Sequence, residues 1–245
     1  MPTDTADLTQ LVDKLAELVL EGGRIAMRHH GRVGEIASKS DMSPLTAADL
    51  EVDAFLCEEL AKAFPDIPVV TEERAATHAA GFAGKRFFLV DPIDGTKEFV
   101  ADRGEFTINN GLVENGVPVA GAVYAPAVDR LFAGAAGRGA FEASLVDPSR
   151  RALVTAKPDS GSLTVVASRS HMTPQTQAFV DANPVGKLTN AGSSLKFCLL
   201  AAGEADLYPR FGPTMEWDTA AGHAVLSAAG GFVEQISGAP LNYGK

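Results

Sequence analysis

The sequence predicts a mixed α/β (α+β) fold, and three patterns along the chain support that class. Apolar residues recur at helical spacing near the start, strand-like runs separated by turn signals fill the middle, and strands alternate with helices toward the end. With 245 residues, the chain is also long enough to bury a large core without disulfides or structural metal.

Two helices are predicted before the first strand. Residues 4–30 show the apolar and polar faces of one long amphipathic helix. Thr46 is followed three residues later by Asp49, which is the spacing of an N-cap and its capping acid, and a second helix is predicted from there to about residue 64. Proline then stops the helix, and residues 69–71 are predicted to form a short strand.

The middle of the chain predicts an antiparallel meander. Residues 86–90 form an apolar run that predicts a buried strand, which breaks off where Asp91 begins the next segment. Asparagine, glycine and proline turn signals then separate three further strand-like runs, at residues 106–113, 117–124 and 130–133.

The remainder predicts an α/β lobe after a polar, turn-rich stretch at residues 144–162. Strands are predicted at 163–167, 187–189, 205–208 and 232–234, and helices at 174–182, 194–202 and 216–229. We therefore expect an N-terminal lobe of residues 1–145 and a C-terminal lobe of residues 146–245, joined in a single compact unit. The chain stops soon after a predicted strand begins. Whether the C-terminus has been shortened is a question that the sequence leaves open.

Composition narrows the range of partners. The 31 Asp and Glu residues outnumber the 21 Lys and Arg residues, for a formal net charge of −10. Proteins that bind nucleic acid polymers carry basic patches, so such a partner is not expected. Only Cys57 and Cys198 occur, the N-terminus lacks a secretion signal, and no apolar run suits an integral membrane segment, which predicts a cytoplasmic protein. Association with the inner face of the cell membrane stays open, as does the choice between a monomer and a homodimer.

The most informative stretch runs from Asp91 to Thr96 and reads Asp-Pro-Ile-Asp-Gly-Thr. Two carboxylates three residues apart, at a point where Pro92 bends the chain, can both face one crevice. Carboxylate and carbonyl oxygens are the ligands that Mg²⁺ and Mn²⁺ prefer, and free amides at a helix start suit a phosphate oxygen. The alternative is a plain turn between a strand and a helix.

Two further acids support the metal interpretation. Glu72 also follows an apolar strand, and Asp218 begins an apolar helix. Taken singly, Glu72 suits an exposed turn and Asp218 suits a charge placed against the helix dipole. Ligands and catalytic groups gather at the ends of strands in α/β folds, so three such acidic positions together favour a carboxylate-lined metal site.

Residues 91–96, together with the Trp-Asp-Thr-Ala-Ala-Gly sequence at 217–222, resemble the paired signature of the inositol monophosphatase superfamily. The resemblance covers about residues 10–240. Within that superfamily, the chain is similar to the CysQ-type 3′(2′),5′-bisphosphate nucleotidases, on the strength of residues 38–49, 94–99, 192–198 and 207–213. This family resemblance implies a layered α-β-α-β-α sandwich with one antiparallel meander sheet and a second mixed α/β lobe.

The resemblance also implies roles for the acidic residues. Glu72, Asp91 and the main-chain carbonyl of Ile93 would hold one Mg²⁺, and Asp91, Asp94 and Asp218 a second. Asp49 and Thr96 would orient and deprotonate the attacking water. Two or more Mg²⁺ ions are expected, with Mn²⁺ as a substitute and Li⁺ as an inhibitor. For Asp49, helix capping is a competing role, and the two roles are compatible.

Specificity is expected to reside in the second half of the chain. A small phosphorylated nucleotide requires cations and donors away from the metals, and arginine can hold a phosphate with two parallel donors. Besides Asp94, Gly95, Thr96 and Asp218, the candidate substrate-binding residues are Lys39, His171, Ser193, Lys196 and Arg210. For Lys196 the alternative is a solvated helix position, and for His171 a helix cap. Charged residues after Asp-Gly-Thr, at Lys97 and Glu98, favour a nucleotide over an inositol phosphate.

The implied activity is Mg²⁺-dependent hydrolysis of 3′(2′)-phosphoadenosine 5′-phosphate to AMP and phosphate, with 3′-phosphoadenosine 5′-phosphosulfate as a second substrate, in support of sulfate assimilation and nucleotide recycling. Inositol monophosphatase or fructose-1,6-bisphosphatase activity on the same scaffold is the alternative. A regulatory protein that binds Mg²⁺ or a nucleotide without turnover is the alternative of another class. The sequence lacks GxxxxGK[ST], GxGxxG, HExxH and GxSxG motifs, which argues against kinases, dehydrogenases, zinc proteases and serine hydrolases.

Overall fold

A computed structural model describes residues 5–32, 37–38, 44–77, 85–168 and 172–245. Lys39 and His171, two of the predicted substrate-binding residues, lie outside these ranges. The described elements confirm the predicted mixed α/β class, with helices on both faces of a central sheet. No helix among these residues combines the length and the apolar character needed to cross a membrane.

The central sheet has seven strands in chain order, and it contains the predicted meander. The first two strands are parallel and every later neighbour is antiparallel. Its strands are β3 (Val69–Thr71), β4 (Arg86–Asp94), β5 (Thr107–Glu114), β6 (Val117–Ala125), β7 (Arg130–Ala135), β8 (Gly139–Ala143) and β9 (Arg151–Leu153). A short antiparallel pair, β1 (Ala37–Ser38) and β2 (Pro44–Leu45), precedes it.

Two helices cover one face of the sheet. They are α1 (Thr5–His29) and α2 (Ala47–Ala63), as the apolar periodicity and the capping pattern predict. Leu15 and Leu56 are buried against alternate residues of the strands, such as Ile108 and Leu112, in the largest hydrophobic core of the protein. This packing fixes the start of α2, and with it Asp49, against the sheet.

The opposite face carries α5 (Leu195–Ala201) and α6 (Ala220–Ala228). Two glycines of the sheet permit a very close approach of α6. A Cβ atom at Gly111 would lie 2.8 Å from the Ala221 nitrogen, and one at Gly121 would lie 2.5 Å from the Ala221 oxygen. Any side chain there would displace α6, so these glycines set the position of the turn that precedes the helix and carries Asp218.

Beyond α5 lies a second, two-stranded parallel sheet of β10 (Leu163–Ser168) and β11 (Val185–Ala191), which α4 (Pro174–Ala182) connects. Apolar residues such as Val166 pack against the α5 residues Leu199 and Leu200. The five-residue helix α3 (Thr96–Val100) follows β4 directly.

Three predictions of secondary structure in the C-terminal half of the chain were wrong in detail. The strands expected at 205–208 and 232–234 are reduced to isolated bridges, Val165 with Leu207 and Glu234 with Pro240. The helix expected from residue 216 begins only at Ala220, because residues 216–219 form a turn in which the amides of Thr219 and Ala220 both donate to the carbonyl of Glu216.

Candidate active site

A β-bulge in β4 brings the two aspartates of the Asp-Pro-Ile-Asp sequence to one face of the sheet. Asp91 pairs with Asn109 and Asp94 pairs with Thr107, so three steps along β4 match two steps along β5. Residues three apart in a regular strand point to opposite faces, and the extra residue of a bulge reverses that alternation. Asn109 and Thr107 are two apart and share a face, so Asp91 and Asp94 share it as well.

This arrangement corrects the prediction that the strand ends before Asp91. Strand β4 continues to Asp94, and Pro92 is accommodated within the irregular segment. Gly95 then adopts a left-handed conformation, with φ of 89°, and begins α3. A sharp turn of this kind favours glycine, which explains the Asp-Gly sequence.

Asp91 is the most deeply buried of the four acids predicted to bind metal, with 1% of its surface exposed. Its carboxyl is hydrogen-bonded to that of Glu72, and its Oδ1 atom has no hydrogen-bond partner among the described residues. Burial raises the pKa of Asp91 well above its ordinary value, and the negative charges of Glu72, Asp94 and Asp218 raise it further. A carboxylate in these surroundings favours either a proton or a metal cation.

Asp94 lies at the junction of the two sheets. Burial and the charge of Asp218 raise its pKa to about 7, against the opposing effects of the Lys196 ammonium and a hydrogen bond from Ser194. The Ser194 hydroxyl lies 3.0 Å from Asp94 Oδ2 and 2.6 Å from the main-chain oxygen of Asp218. Ser194 therefore links Asp94 on the central sheet to the Asp218 turn.

The other two predicted ligands occupy the flanks of the cluster. Glu72 directly follows β3 at the start of a short 3-10 helix, at the end of the strand that pairs with β4. Asp218 precedes α6, and its Oδ2 atom accepts hydrogen bonds from the Thr214 hydroxyl at 2.9 Å and from the Met215 amide at 3.0 Å. The pairing of β3 with β4 and the close packing of α6 on the sheet thus bring the four predicted carboxylate ligands together.

Asp49 and Thr96 form a direct contact between α2 and α3. Asp49 Oδ2 accepts hydrogen bonds from the Thr46 amide at 2.8 Å and the Thr46 hydroxyl at 2.6 Å, which completes the capping box. Its Oδ1 atom lies 3.3 Å from the Thr96 hydroxyl, and that hydroxyl is also 3.1 Å from the carbonyl oxygen of Ile93. One oxygen of Asp49 therefore caps the helix while the other faces the site, so the capping role is compatible with the predicted catalytic role.

The donor set has the chemistry that a hard divalent cation requires. The cluster offers four carboxyl groups and the Ile93 carbonyl, and one buried oxygen of Asp91 has no hydrogen-bond partner among the residues that the structure describes. Within the described ranges, no group of three or more His, Cys, Asp or Glu side chains is arranged to hold a metal ion as it stands. Ion binding would therefore draw side chains inward, and it would relieve the mutual repulsion that raises the pKa values of Asp91 and Asp94.

Lys196 is buried, which excludes the alternative of a solvated helix position. It is 2% exposed, and its ammonium group donates to the carbonyls of Ser193 and, at 3.4 Å, of Ala191. The ammonium also lies 5.2 Å from the centre of the Tyr208 ring. Burial and the nearby Arg210 lower the pKa of Lys196 to about 8, although the charge of Asp94 opposes this shift.

Arg210 and Ser193 complete the described part of the predicted substrate-binding set. The Arg210 guanidinium donates to the Tyr208 hydroxyl at 3.1 Å and to the Pro213 carbonyl at 2.7 Å. Its Nε atom is buried and makes no hydrogen bond within the described part of the chain. Ser193 adopts a left-handed backbone, with φ of 47°, and its hydroxyl is likewise without a described partner. Both groups retain donors for an anionic ligand.

Sequence reasoning missed Ser194, Thr214 and Tyr208 as parts of the site. Each of them orients a predicted residue: Ser194 contacts Asp94, Thr214 contacts Asp218, and Tyr208 contacts both Arg210 and Lys196. Ser194 lies within the Gly-Ser-Ser-Leu-Lys motif, so the motif pointed to the correct turn but to Ser193 alone.

Comparison with known proteins places the chain among phosphatases. The sequence profile described as "Inositol monophosphatase family" matches residues 5–245. A curated relative from Shigella flexneri, named 3′(2′),5′-bisphosphate nucleotidase CysQ, is 40% identical over 235 residues, covering 95% of this chain and 94% of the relative. The protein of the same name from Escherichia coli strain K12 shows the same identity and coverage.

A solved structure agrees with the sequence matches. The crystal structure of CysQ from Bacteroides thetaiotaomicron, described as a bacterial member of the inositol monophosphatase family, superposes with a TM-score of 0.80 at 34% identity. The superposition covers 96% of this chain and 93% of that one. The predicted layered α/β fold is thereby confirmed.

Proposed function

The chain belongs to the inositol monophosphatase family, and from this premise we propose that it is a Mg²⁺-dependent phosphomonoesterase that hydrolyses 3′(2′)-phosphoadenosine 5′-phosphate to AMP and phosphate. The curated relatives at 40% identity carry the name 3′(2′),5′-bisphosphate nucleotidase. The similarity to these relatives covers 95% of the chain.

The observation that carries the proposal is the contact between Asp49 and Thr96 beside four clustered carboxyl groups. A hydroxyl hydrogen-bonded to a buried carboxylate can accept a proton while it gives up its own, which is the requirement for general-base activation of water. Burial and the charges of the neighbouring acids raise the pKa values of Asp91 and Asp94, which favours a bound cation beside these carboxyl groups.

The residues that would hold Mg²⁺ are Glu72, Asp91 and the Ile93 carbonyl for one ion, and Asp91, Asp94 and Asp218 for a second. When bound, Mg²⁺ would supply positive charge for the phosphate oxygens and make nearby water more acidic. Mn²⁺ shares the preference for oxygen ligands and is proposed as a substitute, with Li⁺ as an inhibitor.

The chain's own groups would handle the proton. Thr96 Oγ1 would take a proton from the attacking water and pass its own to Asp49 Oδ1. The water oxygen would then attack phosphorus on the side opposite the ribose oxygen, which leaves and takes a proton from solvent. The main-chain N–H groups of Gly95 and Thr96, at the start of α3, would donate to the equatorial phosphate oxygens. No covalent phosphoenzyme forms in these reaction steps.

Recognition of the nucleotide would depend on two cationic side chains of the second half, the buried Lys196 and the partly exposed Arg210. The Arg210 guanidinium, with a donor left over after its two described hydrogen bonds, would bind the 5′-phosphate. Ser193 and Lys196 would contact the substrate nearer to Asp94, and Lys39 and His171 remain proposed members of the same set. 3′-Phosphoadenosine 5′-phosphosulfate, which presents a similar anion, is proposed as a further substrate.

Hydrolysis of inositol phosphates is the second candidate function. An IMPase from Thermotoga maritima superposes with a TM-score of 0.78 at 28% identity, over 95% of this chain. Because the carboxylate cluster contacts only the scissile phosphate in this proposal, it does not by itself discriminate between the two substrate classes.

The test is a comparison of phosphate release from 3′-phosphoadenosine 5′-phosphate, inositol 1-phosphate and fructose 1,6-bisphosphate. Each substrate is assayed with Mg²⁺, with Mn²⁺, with EDTA, and with Mg²⁺ plus Li⁺. We expect the highest kcat/KM for the adenosine bisphosphate, no release in EDTA, and inhibition by Li⁺. A preference for inositol 1-phosphate would overturn the substrate assignment, and failure to hydrolyse any of the three would overturn the proposed phosphatase.

A further inference from the structure

The turn that carries Asp218 is held from outside the site by residues 243–245. Both carboxylate oxygens of Glu216 accept main-chain hydrogen bonds from this segment: Oε2 from the Gly244 amide at 2.7 Å and Oε1 from the Lys245 amide at 3.2 Å. Glu216 is two residues before Asp218 in the chain. One flank of the predicted metal ligand is thus fixed to a remote part of the sequence.

The other flank is held by a chain of three side chains. The Tyr243 hydroxyl lies 3.0 Å from His223 Nδ1 and 3.2 Å from Thr219 Oγ1, and Thr219 Oγ1 lies 3.2 Å from the carbonyl oxygen of Glu216. All three side chains are more than 90% buried.

The direction of these hydrogen bonds follows from their last acceptor. A carbonyl oxygen only accepts, so Thr219 donates to Glu216, Tyr243 donates to Thr219, and His223 donates to Tyr243. This order assigns the proton of neutral His223 to Nδ1. Burial lowers the pKa of His223 to about 4, which keeps the ring neutral and the order intact at neutral pH. Each hydrogen-bonding proton of these three side chains has one acceptor, so the hydrogen-bond network has a single arrangement.

Segment 243–245 is itself anchored to the central sheet. The Tyr243 amide donates to the Gly116 carbonyl at 3.0 Å, in the hairpin turn between β5 and β6. The Tyr243 ring packs with Phe87, Leu89 and Trp217 in one apolar cluster. The Asp218 turn is therefore connected, through Tyr243 and Glu216, to the central sheet, including β4, which carries Asp91 and Asp94.

We propose that Tyr243 and Glu216 are positioning residues that set the location of Asp218 relative to the aspartates of β4. Within its own turn, Asp218 is oriented by Thr214 and Met215, but these contacts move with the turn. The position of the turn relative to other elements is set by the packing of α6 on the sheet, by the hydrogen bond to Ser194 and by the links to segment 243–245. The inference rests on the proposed function, because it assigns Asp218 to a Mg²⁺ site.

The test is Mg²⁺ binding by isothermal titration calorimetry in the absence of substrate. Tyr243→Phe removes one hydroxyl and leaves the ring packed, and Glu216→Gln replaces one of the two acceptors with a donor. Loss of a group that orients a metal ligand typically weakens metal binding by about 10-fold or more. We expect that change in both variants, with kcat restored when Mg²⁺ is raised to saturation.

Tyr124→Phe is the matched control. Tyr124 is equally buried, and its hydroxyl donates to Asp129 at 3.0 Å, away from the carboxylate cluster. We expect this variant to lose thermal stability without any change in Mg²⁺ affinity.

Three outcomes separate the inference from its premise. Wild-type Mg²⁺ affinity in Tyr243→Phe or in Glu216→Gln, when the wild-type protein itself binds Mg²⁺, would overturn the positioning role. If Tyr124→Phe lost as much Mg²⁺ affinity, the loss in the other variants would reflect general destabilisation, and the positioning role would again be overturned. Absence of Mg²⁺ binding by the wild-type protein would overturn the proposed function instead. If Tyr243→Phe does not fold, Glu216→Gln alone decides.

Discussion

The Thr96 hydroxyl lies 3.3 Å from Asp49 Oδ1, and this contact joins α2 to α3 through two residues that are 47 positions apart in sequence. Thr96 has a single hydroxyl proton but two acceptors within reach, since the Ile93 carbonyl is 3.1 Å away. The proton can therefore shift between Asp49 and Ile93 with little motion of the side chain. This is the geometry expected of a group that relays a proton.

Thr96→Val should abolish most of the activity while leaving the fold intact. Valine preserves the shape of the side chain but cannot exchange a proton with Asp49. Loss of a positioned general-base relay reduces kcat by about 100-fold or more. The measurement is phosphate release from 3′-phosphoadenosine 5′-phosphate at saturating Mg²⁺, with thermal unfolding to check the fold.

Thr96→Ser is the control for that variant, because serine retains the hydroxyl. We expect it to keep activity within about 10-fold of the wild-type protein. If Thr96→Val were as active as Thr96→Ser, the hydroxyl would have no part in the reaction.

Asp91→Asn should eliminate turnover yet stabilise the metal-free protein. Without a cation, the buried Asp91 carboxyl must either hold a charge among other acids or take up a proton, and both cost free energy that a neutral asparagine does not. Thermal unfolding in EDTA should show a higher Tm than that of the wild-type protein, and Mg²⁺ should no longer raise it.

Asp53→Asn provides the contrast for this measurement. Asp53 is also a buried carboxylate, but it is paired with Arg74 at 2.7 Å. Its loss should lower the Tm, because Arg74 loses that partner. A decrease in Tm for both variants would show that the Asp91 charge is balanced in the metal-free protein.

The stability of the metal-free protein should pass through a minimum between about pH 7 and pH 8. The pKa of Asp94 is about 7 in the fold against an ordinary 3.8, so between these values the folded state holds a proton that the unfolded chain has lost. Stability then falls as pH rises toward 7. The pKa of Lys196 is lowered from 10.5 to about 8, so above pH 8 the unfolded chain holds the extra proton and stability rises again.

Urea unfolding in EDTA at pH values from 5 to 10 would measure that profile. Mg²⁺ should remove the decrease below pH 7, because it binds the deprotonated carboxylates of the folded state. A stability that rises steadily from pH 5 to pH 7 in EDTA would contradict the raised pKa of Asp94.

Local sequence patterns predicted much of this site because some of its contacts are local. Thr46 and Asp49 are three residues apart on one helix turn, so their spacing was enough to predict the capping box. The Asp91–Thr96 stretch likewise holds two acids, a bend and a helix start within six residues.

Other parts of the site depend on pairing between distant segments, which a single sequence does not display. The bulge that brings Asp91 and Asp94 to one face is defined only by the register with β5. Ser194 contacts Asp94 across 100 residues, and Tyr243 contacts Thr219 across 24. Serine and tyrosine at such positions carry no local signal that separates them from ordinary surface or core residues.

Arg210→Gln should weaken selectively the hydrolysis of a substrate that carries a 5′-phosphate. If the guanidinium binds that phosphate, loss of a charged hydrogen-bonding group costs about 1.5–3 kcal/mol, or roughly 10- to 100-fold in kcat/KM. Adenosine 3′-phosphate lacks the 5′-phosphate, so its kcat/KM should be unchanged. Arg210→Lys keeps the charge but not the paired donors, and we expect an intermediate effect. Equal losses on both substrates would instead assign Arg210 to the support of Tyr208 and Pro213.

Asn110→Leu should stabilise the protein without changing its activity. Asn110 is fully buried in β5, on the face shared with Ile108 and Leu112 that packs against α1 and α2, and neither atom of its amide has a hydrogen-bond partner among the described residues. An unsatisfied buried amide costs about 1–3 kcal/mol, and leucine, which has the same branched shape but no polar atoms, removes that cost. The gain is measured as the free energy of unfolding in urea, with phosphate release as the activity check, since the side chain points away from Asp91 and Asn109. A loss of stability would show that the Asn110 amide is satisfied in solution, by ordered water within the core.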